Sequence, residues 1–99
     1  LIRQRERSLK YDKQLLEKYS IAYKVQLLTV PYEVDVDKTF GELMTAIPGL
    51  KVSGMKGYMN LYRYRTQNLP DYREAILLQN KIVRKGWKDC LIVRTKVIR

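Results

Sequence analysis

Apolar and polar residues alternate along the segment after residue 20, as they do in a strand that is buried on one side. The alternating sets are Tyr23, Val25, Leu27 and Thr29 on one parity and Lys24, Gln26 and Leu28 on the other. Successive side chains of a strand point to opposite faces, so we predict that the first set faces a core and the second faces outward. Pro31 ends this strand because it cannot donate to a hydrogen-bond ladder.

A short helix is predicted next. Thr39 and Glu42 have the spacing of a capping box, with Thr39 at the helix start. Apolar residues then recur at i, i+3, i+4 and i+7, which is the spacing of an amphipathic helix. They are Phe40, Leu43, Met44 and Ile47. Pro48 and Gly49 end the helix.

Two further strands are predicted at residues 50–53 and 59–67, joined by a turn at residues 54–57 that begins and ends with glycine. The longer strand carries two sets of opposite parity: Tyr62, Tyr64 and Thr66, and Leu61, Arg63 and Arg65. We predict that the tyrosines face the core and that the arginines face outward. Tyrosines on the opposite face would instead suggest base stacking, as in sheet-borne RNA-binding modules, but the glycines and phenylalanines of such a module's tract are missing.

The second predicted helix has signals at both ends. Asp71 and Glu74 form another capping box, and Pro70 limits extension backward. Gly86 suits the left-handed position after the helix, so that Trp87 can pack on Ile82 as in a Schellman motif. The inward stripe of this helix is Ala75, Leu78 and Ile82. A fourth strand is predicted at residues 90–95.

The order of elements is therefore β-α-β-β-α-β, an α+β fold. We predict a four-stranded antiparallel sheet with two helices on one face, which leaves the other face open for function. Residues 1–20 are interpreted as a helical linker or the end of a preceding segment, and residues 21–99 as the domain. The predicted core comprises Val25, Phe40, Ile47, Tyr62, Tyr64, Ala75, Leu78, Ile82 and Trp87.

Charge changes this picture by indicating a class of partner. The chain carries 20 Lys and Arg against 10 Asp and Glu, a net charge of +10. Such a charge favours nucleic acid, an anionic lipid surface or a carboxylate-bearing glycan, or it serves only to keep the surface solvated. No apolar run approaches the roughly 18–20 residues that span a bilayer.

Catalytic and metal-binding patterns find no support in the sequence. Histidine is absent, and the single cysteine, Cys90, lies in an apolar strand, where we expect a buried thiol and not a reactive one. Asp71 and Glu74 are explained by capping, and Gly54 to Gly57 is too short for a phosphate-binding loop. We therefore expect a non-enzymatic domain without a cofactor or metal.

The predicted open face carries the candidate binding residues. Arginine can donate two hydrogen bonds to a carboxylate or phosphate, glutamine both donates and accepts, and aliphatic side chains can lie under sugar rings. The alternative is that these side chains only keep the sheet soluble. By parity this face holds Lys24, Gln26, Leu28, Leu61, Arg63, Arg65, Leu91 and Val93.

Four segments resemble the SPOR (sporulation-related repeat) domain in its Bacteroidetes-like envelope version. They read YKVQ at residues 23–26, LYRY at 61–64, YREA at 72–75 and KGWKDCLIV at 85–93. The family has an aromatic-x-Val-Gln first strand, a Leu-Tyr-Arg third strand, a Glu-Ala helix start, and a Gly-aromatic step before an apolar last strand. The resemblance covers about residues 21–95.

The resemblance implies a domain that binds peptidoglycan glycan strands, preferably stripped of stem peptides, at the open sheet face. It implies a periplasmic or cell-envelope location within a longer protein, often one that serves cell division or wall remodelling. The ligand-binding positions carried over by the resemblance, together with a second arginine of the same strand face, are Gln26, Arg63, Leu61, Thr29, Arg65 and Leu91.

The chain departs from the family after Gln26, where a small-residue motif ending Gly-Ala/Ser-Phe is replaced by Leu28, Thr29 and Val30, and again after the third strand. Bulk at Leu28 on the open face would narrow or remove the groove. Two alternatives therefore stay open. The first is that the same fold serves as a protein–protein or assembly module, in an envelope complex or a phage particle. The second is that it is an RNA-binding module.

Overall fold

The computed structural model describes residues 19–98, so nearly all of the predicted linker at residues 1–20 lies outside the described residues. Within these residues, two helices and four strands follow one another in the predicted order, with one short 3₁₀ turn at Tyr58–Asn60. The elements are β1 (Tyr19–Val30), α1 (Val36–Ala46), β2 (Val52–Lys56), β3 (Tyr62–Thr66), α2 (Tyr72–Arg84) and β4 (Leu91–Ile98).

The sheet is antiparallel throughout, in the order β2-β3-β1-β4, and it confirms the predicted α+β fold. Each helix follows a strand and packs back over the sheet, and the apolar sides of both helices contact the same face of the sheet. Phe40 of α1 and Ile82 of α2 are fully buried in one cluster with Val25 of β1 and Tyr64 of β3. The opposite face is left without a covering helix among the described elements.

The core forms largely as the hydrophobic pattern predicts. Of the predicted core residues, Tyr62, Leu78 and Trp87 are only partly buried, and they pack against the cluster. Aromatic rings join the layers, with Phe40 at 5.6 Å from the Tyr64 ring and 5.0 Å from the Trp87 ring. Leu27, Leu50 and Cys90 are buried in addition.

Helix α2 ends as its local sequence indicates. Asp71 is the N-cap, and its side chain accepts a hydrogen bond of 3.0 Å from Arg73 N. At the other end Gly86 has a φ of 105°, and Trp87 N donates to Ile82 O at 3.3 Å while Gly86 N donates to Val83 O at 3.0 Å. These two bonds are the Schellman pair, so the predicted ending is confirmed.

Helix α1 begins earlier than the capping-box pattern predicts. Its N-cap is Asp35, whose carboxylate accepts a 3.1 Å hydrogen bond from Lys38 N. Thr39 therefore lies inside the helix, and the prediction that it caps the start was wrong. Asp35 stands directly before Val36, the first helical residue, and an aspartate is at least as good a cap as a threonine.

The turn between β2 and β3 was also misplaced. Gly54 lies within β2, opposite Tyr64, and the chain reverses later, between Gly57 and Leu61. A Cβ atom on Gly54 would come within 2.4 Å of the Tyr64 ring, so this glycine provides space for the tyrosine. The reversal uses left-handed backbone at two residues that are not glycine, Met59 with φ 61° and Asn60 with φ 58°.

A β-bulge in β1 changes which side chains reach the open face. Gln26 pairs with Arg65, but the next pair is Leu28 with Tyr64, so one strand has an extra residue at Leu27. Both Leu27 and Leu28 consequently face the helices, where Leu28 packs against the core cluster. The strict alternation that put Leu28 on the open face and Thr29 in the core was wrong, because a bulge reverses parity beyond it.

Cys90 is 7 % exposed, which confirms the expected burial. Burial raises the pKa of its thiol, and the charge of Asp89 acts in the same direction, although a backbone hydrogen bond opposes them. Because the folded chain holds this proton more tightly than the unfolded chain, the thiol's contribution to stability is lost as the pH rises through and above the ordinary range of thiols.

We therefore expect Cys90 to react at least about tenfold more slowly with an aromatic disulfide reagent at pH 8 in the folded chain than in denaturant, since the thiolate is the nucleophile. The absorbance of the released thiolate follows the reaction. Equal rates in the two states would contradict the burial of this side chain.

Candidate binding face of the open sheet

Gln26 lies at the centre of the open face and joins two of the predicted site residues. Its Oε1 accepts a hydrogen bond of 2.8 Å from Arg65 Nε, and its Nε2 donates to Thr29 Oγ1 at 3.1 Å. Leu91 of β4 is the register partner of Gln26 on the other side. These contacts orient the Gln26 amide, which in turn holds the Arg65 guanidinium in place. The other four N–H groups of that guanidinium can donate to other partners.

Arg63 sits next to this group because the bulge brings Thr29 opposite it. Without the bulge, Thr29 would point toward the helices and the face would lose the Thr29 hydroxyl. The structure therefore brings five of the six predicted residues together on one face. They are Gln26, Thr29, Arg63, Arg65 and Leu91.

Leu61 is the residue that the structure places apart. It lies between the 3₁₀ turn and β3 and is only half-buried. Its backbone carbonyl closes the reversal by accepting a 3.0 Å hydrogen bond from Gly57 N. It does not line the pocket described next. The prediction put Leu61 on the open face because it counted Leu61 as part of the third strand, but that strand begins only at Tyr62.

A pocket of about 290 Å³ lies over β2, β3 and β1 on this face. Among residues 19–98, three cations line it and no aspartate or glutamate does. The full lining is Lys24, Ser53, Met55, Gly57, Tyr58, Arg63 and Arg65. With cationic side chains gathered and no carboxylate among them, the pocket is electrostatically suited to an anionic group.

The Arg63 guanidinium is held at the edge of this pocket by the turn. Its NH1 donates to the carbonyl of Tyr58 at 3.2 Å. A Cβ atom on Gly57 would lie 3.1 Å from the same NH1, so the absence of a side chain there lets the guanidinium pack under the turn. The arrangement orients Arg63 before any ligand arrives.

A second cleft lies at the bulge of β1, next to the start of β4. It is lined by Gln26, Leu27, Leu28, Thr29, Asp89 and Leu91. Asp89 gives this cleft a negative charge and Leu91, 49 % exposed, gives it an apolar wall. Gln26 is the residue that connects the cleft to the cationic pocket, through its bond to Arg65.

Sequence reasoning missed the part of the pocket that the β2–β3 hairpin supplies. Ser53 and Met55 are the register partners of Arg65 and Arg63. Tyr58 was not among the predicted site residues. Once β2 is known to run through Gly54 to Lys56, the alternation of Ser53 and Met55 with Gly54 indicates that they share a face with the arginines.

No family model, no curated protein and no solved structure matches this chain. Within residues 19–98, no group of histidine, cysteine, aspartate and glutamate side chains is arranged to hold a metal ion. In the same part of the chain, neither helix has the length and apolar character that a bilayer-crossing segment needs. The fold and the face together define an open-faced α+β domain with a cationic pocket.

Proposed function

We propose that this domain binds peptidoglycan glycan strands, preferably strands stripped of stem peptides, through the open sheet face. The observation that carries the proposal is the pocket formed by Lys24, Arg63 and Arg65, which no carboxylate of the described residues lines. A stripped strand exposes the lactyl carboxylates of its sugars. Charge-assisted hydrogen bonds from guanidinium groups to carboxylates are about twice as strong as neutral ones.

The neighbouring polar groups support a carbohydrate ligand. Gln26 and Thr29 form an amide–hydroxyl pair beside the guanidinium of Arg65. Amides and hydroxyls both donate and accept, which matches the acetamido and hydroxyl groups of an amino-sugar strand. The resemblance of residues 21–95 to the SPOR domain supports the same ligand and a place in the cell envelope, within a longer protein.

The bulge removes one objection to this proposal. The groove was expected to be narrowed by Leu28 on the open face, but Leu28 packs with the core, and Thr29 takes the outward position beside Gln26. Leu28 therefore borders the cleft at the bulge but does not line the cationic pocket.

A second candidate is an assembly module that contacts another protein. Three large apolar side chains project at the β2–β3 hairpin, with Met55, Tyr58 and Met59 exposed by 71 %, 80 % and 72 %. A cluster of exposed apolar side chains beside cations is a common feature of protein interfaces. This reading needs the fold and the hairpin, but it does not need the cationic pocket.

The test is co-sedimentation of the full chain with purified sacculi, with and without amidase treatment that strips the stem peptides. We expect more binding after treatment, and we expect Arg63→Ala to weaken binding by about tenfold or more, since removing a charge-assisted hydrogen bond costs about 1.5–3 kcal/mol. Arg94→Ala is the matched control, because Arg94 is exposed but does not share the open face. It is the register partner of Tyr23, whose ring contacts Tyr72 at the start of α2, so both lie on the helix-bearing face.

Salt separates glycan from nucleic acid in this assay. Glycan binding should soften but persist at high salt, because screening acts mainly on exposed charges. Binding to RNA should instead fall by orders of magnitude over a modest increase in salt through counterion release. If treated sacculi retain no more of the domain than of an unrelated protein of equal charge, the glycan proposal is wrong and the assembly module takes its place.

A further inference from the structure

The cationic pocket has an apolar wall next to its charged floor. Tyr58 and Met55 line the pocket together with Arg63, yet both side chains are largely exposed, by 80 % and 71 %. A large aromatic side chain that is neither packed in the core nor shielded by neighbours is available to a ligand. The pocket therefore offers two kinds of contact at once, charge from the strands and an aromatic face from the turn.

The turn that carries Tyr58 is closed by its own hydrogen bonds. Gly57 N donates to Leu61 O at 3.0 Å, Asn60 N donates to Gly57 O at 3.1 Å, and Leu61 N donates to Tyr58 O at 3.4 Å. Arg63 NH1 also donates to Tyr58 O, so that carbonyl serves both the turn and the pocket. A ligand can cover this turn without leaving these backbone groups unpaired.

Backbone geometry at the turn is unusual for the residues that adopt it. Met59 and Asn60 are both left-handed, with φ of 61° and 58°. Asparagine tolerates this region, but methionine rarely adopts it, and such residues cluster where the surrounding structure needs a particular local shape. Here the shape makes Tyr58 part of the pocket lining, and its carbonyl accepts a hydrogen bond from the Arg63 guanidinium.

We infer that the pocket binds one acidic sugar residue as a unit, with the sugar ring against Tyr58 and Met55 and its carboxylate on Arg63, Lys24 and Arg65. This inference rests on the proposed function and names the part of the glycan that the pocket reads. One face of a pyranose ring presents C–H groups that are apolar and slightly positive, and the face of an aromatic ring is negative, so the two surfaces attract and exclude water.

Two simpler ligand classes satisfy only half of the pocket. A polyanion without rings reaches the cations but leaves Tyr58 in water, and a neutral glycan covers Tyr58 but leaves three cations without an anion. Either half alone is a weak site, because exposed charges are screened and a single ring covers little apolar area. Recognition therefore requires ring and carboxylate on the same sugar.

The experiment is calorimetric titration of the full chain with three probes. They are an oligosaccharide of stripped peptidoglycan, a chitin oligosaccharide of equal length and inorganic polyphosphate. We expect the first to bind at least about tenfold more tightly than either of the others, because only it uses both contacts. Chitin has the same rings without the lactyl carboxylate, and polyphosphate has charge without rings.

Variants then assign the ring contact to Tyr58. Tyr58→Ala should weaken binding of the stripped oligosaccharide by about tenfold, while Tyr58→Phe should bind like the wild type, since the ring and not the hydroxyl is used. The loss in Tyr58→Ala should be the same at low and high salt. The loss in Arg63→Ala should shrink as salt rises. Tyr32→Ala is the matched control, because Tyr32 is 61 % exposed but lies outside the pocket.

The outcomes separate this inference from the function on which it rests. If Arg63→Ala loses binding while Tyr58→Ala does not, the domain binds glycan but the ring contact is wrong. If the stripped oligosaccharide binds neither wild type nor variant, the proposed function fails as well. Tighter binding to single-stranded RNA, lost in Tyr58→Ala and abolished by salt, would overturn both in favour of base stacking.

Discussion

Ile82→Ala is expected to lower the free energy of unfolding by about 2–5 kcal/mol, the largest stability effect of any single change considered. Ile82 is fully buried, and its cluster includes Phe40 and Val25, so its side chain joins α2 both to α1 and to the sheet. Removing it leaves a cavity at the point where three elements meet. A domain of this size has a total stability on the order of 5–10 kcal/mol, so the loss is a large fraction of it.

Urea unfolding followed by circular dichroism measures this loss, and Leu77→Ala is the control. Leu77 lies on the same helix and is 56 % exposed, so its truncation should change stability by less than about 0.5 kcal/mol. A loss below about 1 kcal/mol for Ile82→Ala would show that α2 does not pack on the sheet as described.

The second large effect is expected at Gly54. Gly54→Ala should destabilise the domain by about 1–3 kcal/mol, as overpacked cores do. The new Cβ would meet the Tyr64 ring at 2.4 Å, and Tyr64 is 1 % exposed. The ring cannot move freely, because its hydroxyl accepts a 2.7 Å hydrogen bond from Val34 N and donates to Val34 O at 3.3 Å.

Gly41→Ala is a matched control with the opposite expected sign. Gly41 lies within α1 and its Cβ position has nothing within 4 Å, so the substitution should raise stability by about 0.5–1 kcal/mol through helix propensity. A double variant with Gly54→Ala and Tyr64→Ala should lose less stability than the sum of the two single changes, because the clash disappears with the Tyr64 ring. Strict additivity would contradict the steric explanation.

Local signals predicted the elements whose ends depend on nearby residues. The ending of α2 is encoded within six residues, because Gly86 supplies the left-handed backbone and Trp87 the adjoining apolar contact. Local signals misplaced the start of α1, because Asp35 and Thr39 are both residue types that cap helices. Only the extent of packing by residues from Val36 onward chooses between them.

The candidate site depended on contacts that no local pattern contains. Alternation predicted that Gln26, Arg63 and Arg65 share a face, and they do. It failed beyond Gln26, because the bulge at Leu27 depends on how β1 aligns with β3. The turn predicted from the glycines at 54 and 57 also failed, because Gly54 pairs within β2 with Tyr64, ten residues away. The β2–β3 wall of the pocket was missed for this reason.

Hydrophobic periodicity and helix-end residues by themselves determined the order of elements, most of the core members and, up to the bulge in β1, which sheet face is polar. These features follow from each segment's own period and from whether a side chain is apolar. The tertiary structure alone decided strand register, the bulge that turns Thr29 outward, and the hairpin that carries Tyr58 to the pocket. Register is a relation between segments, because buried side chains such as Tyr64 select the partner that leaves room for them.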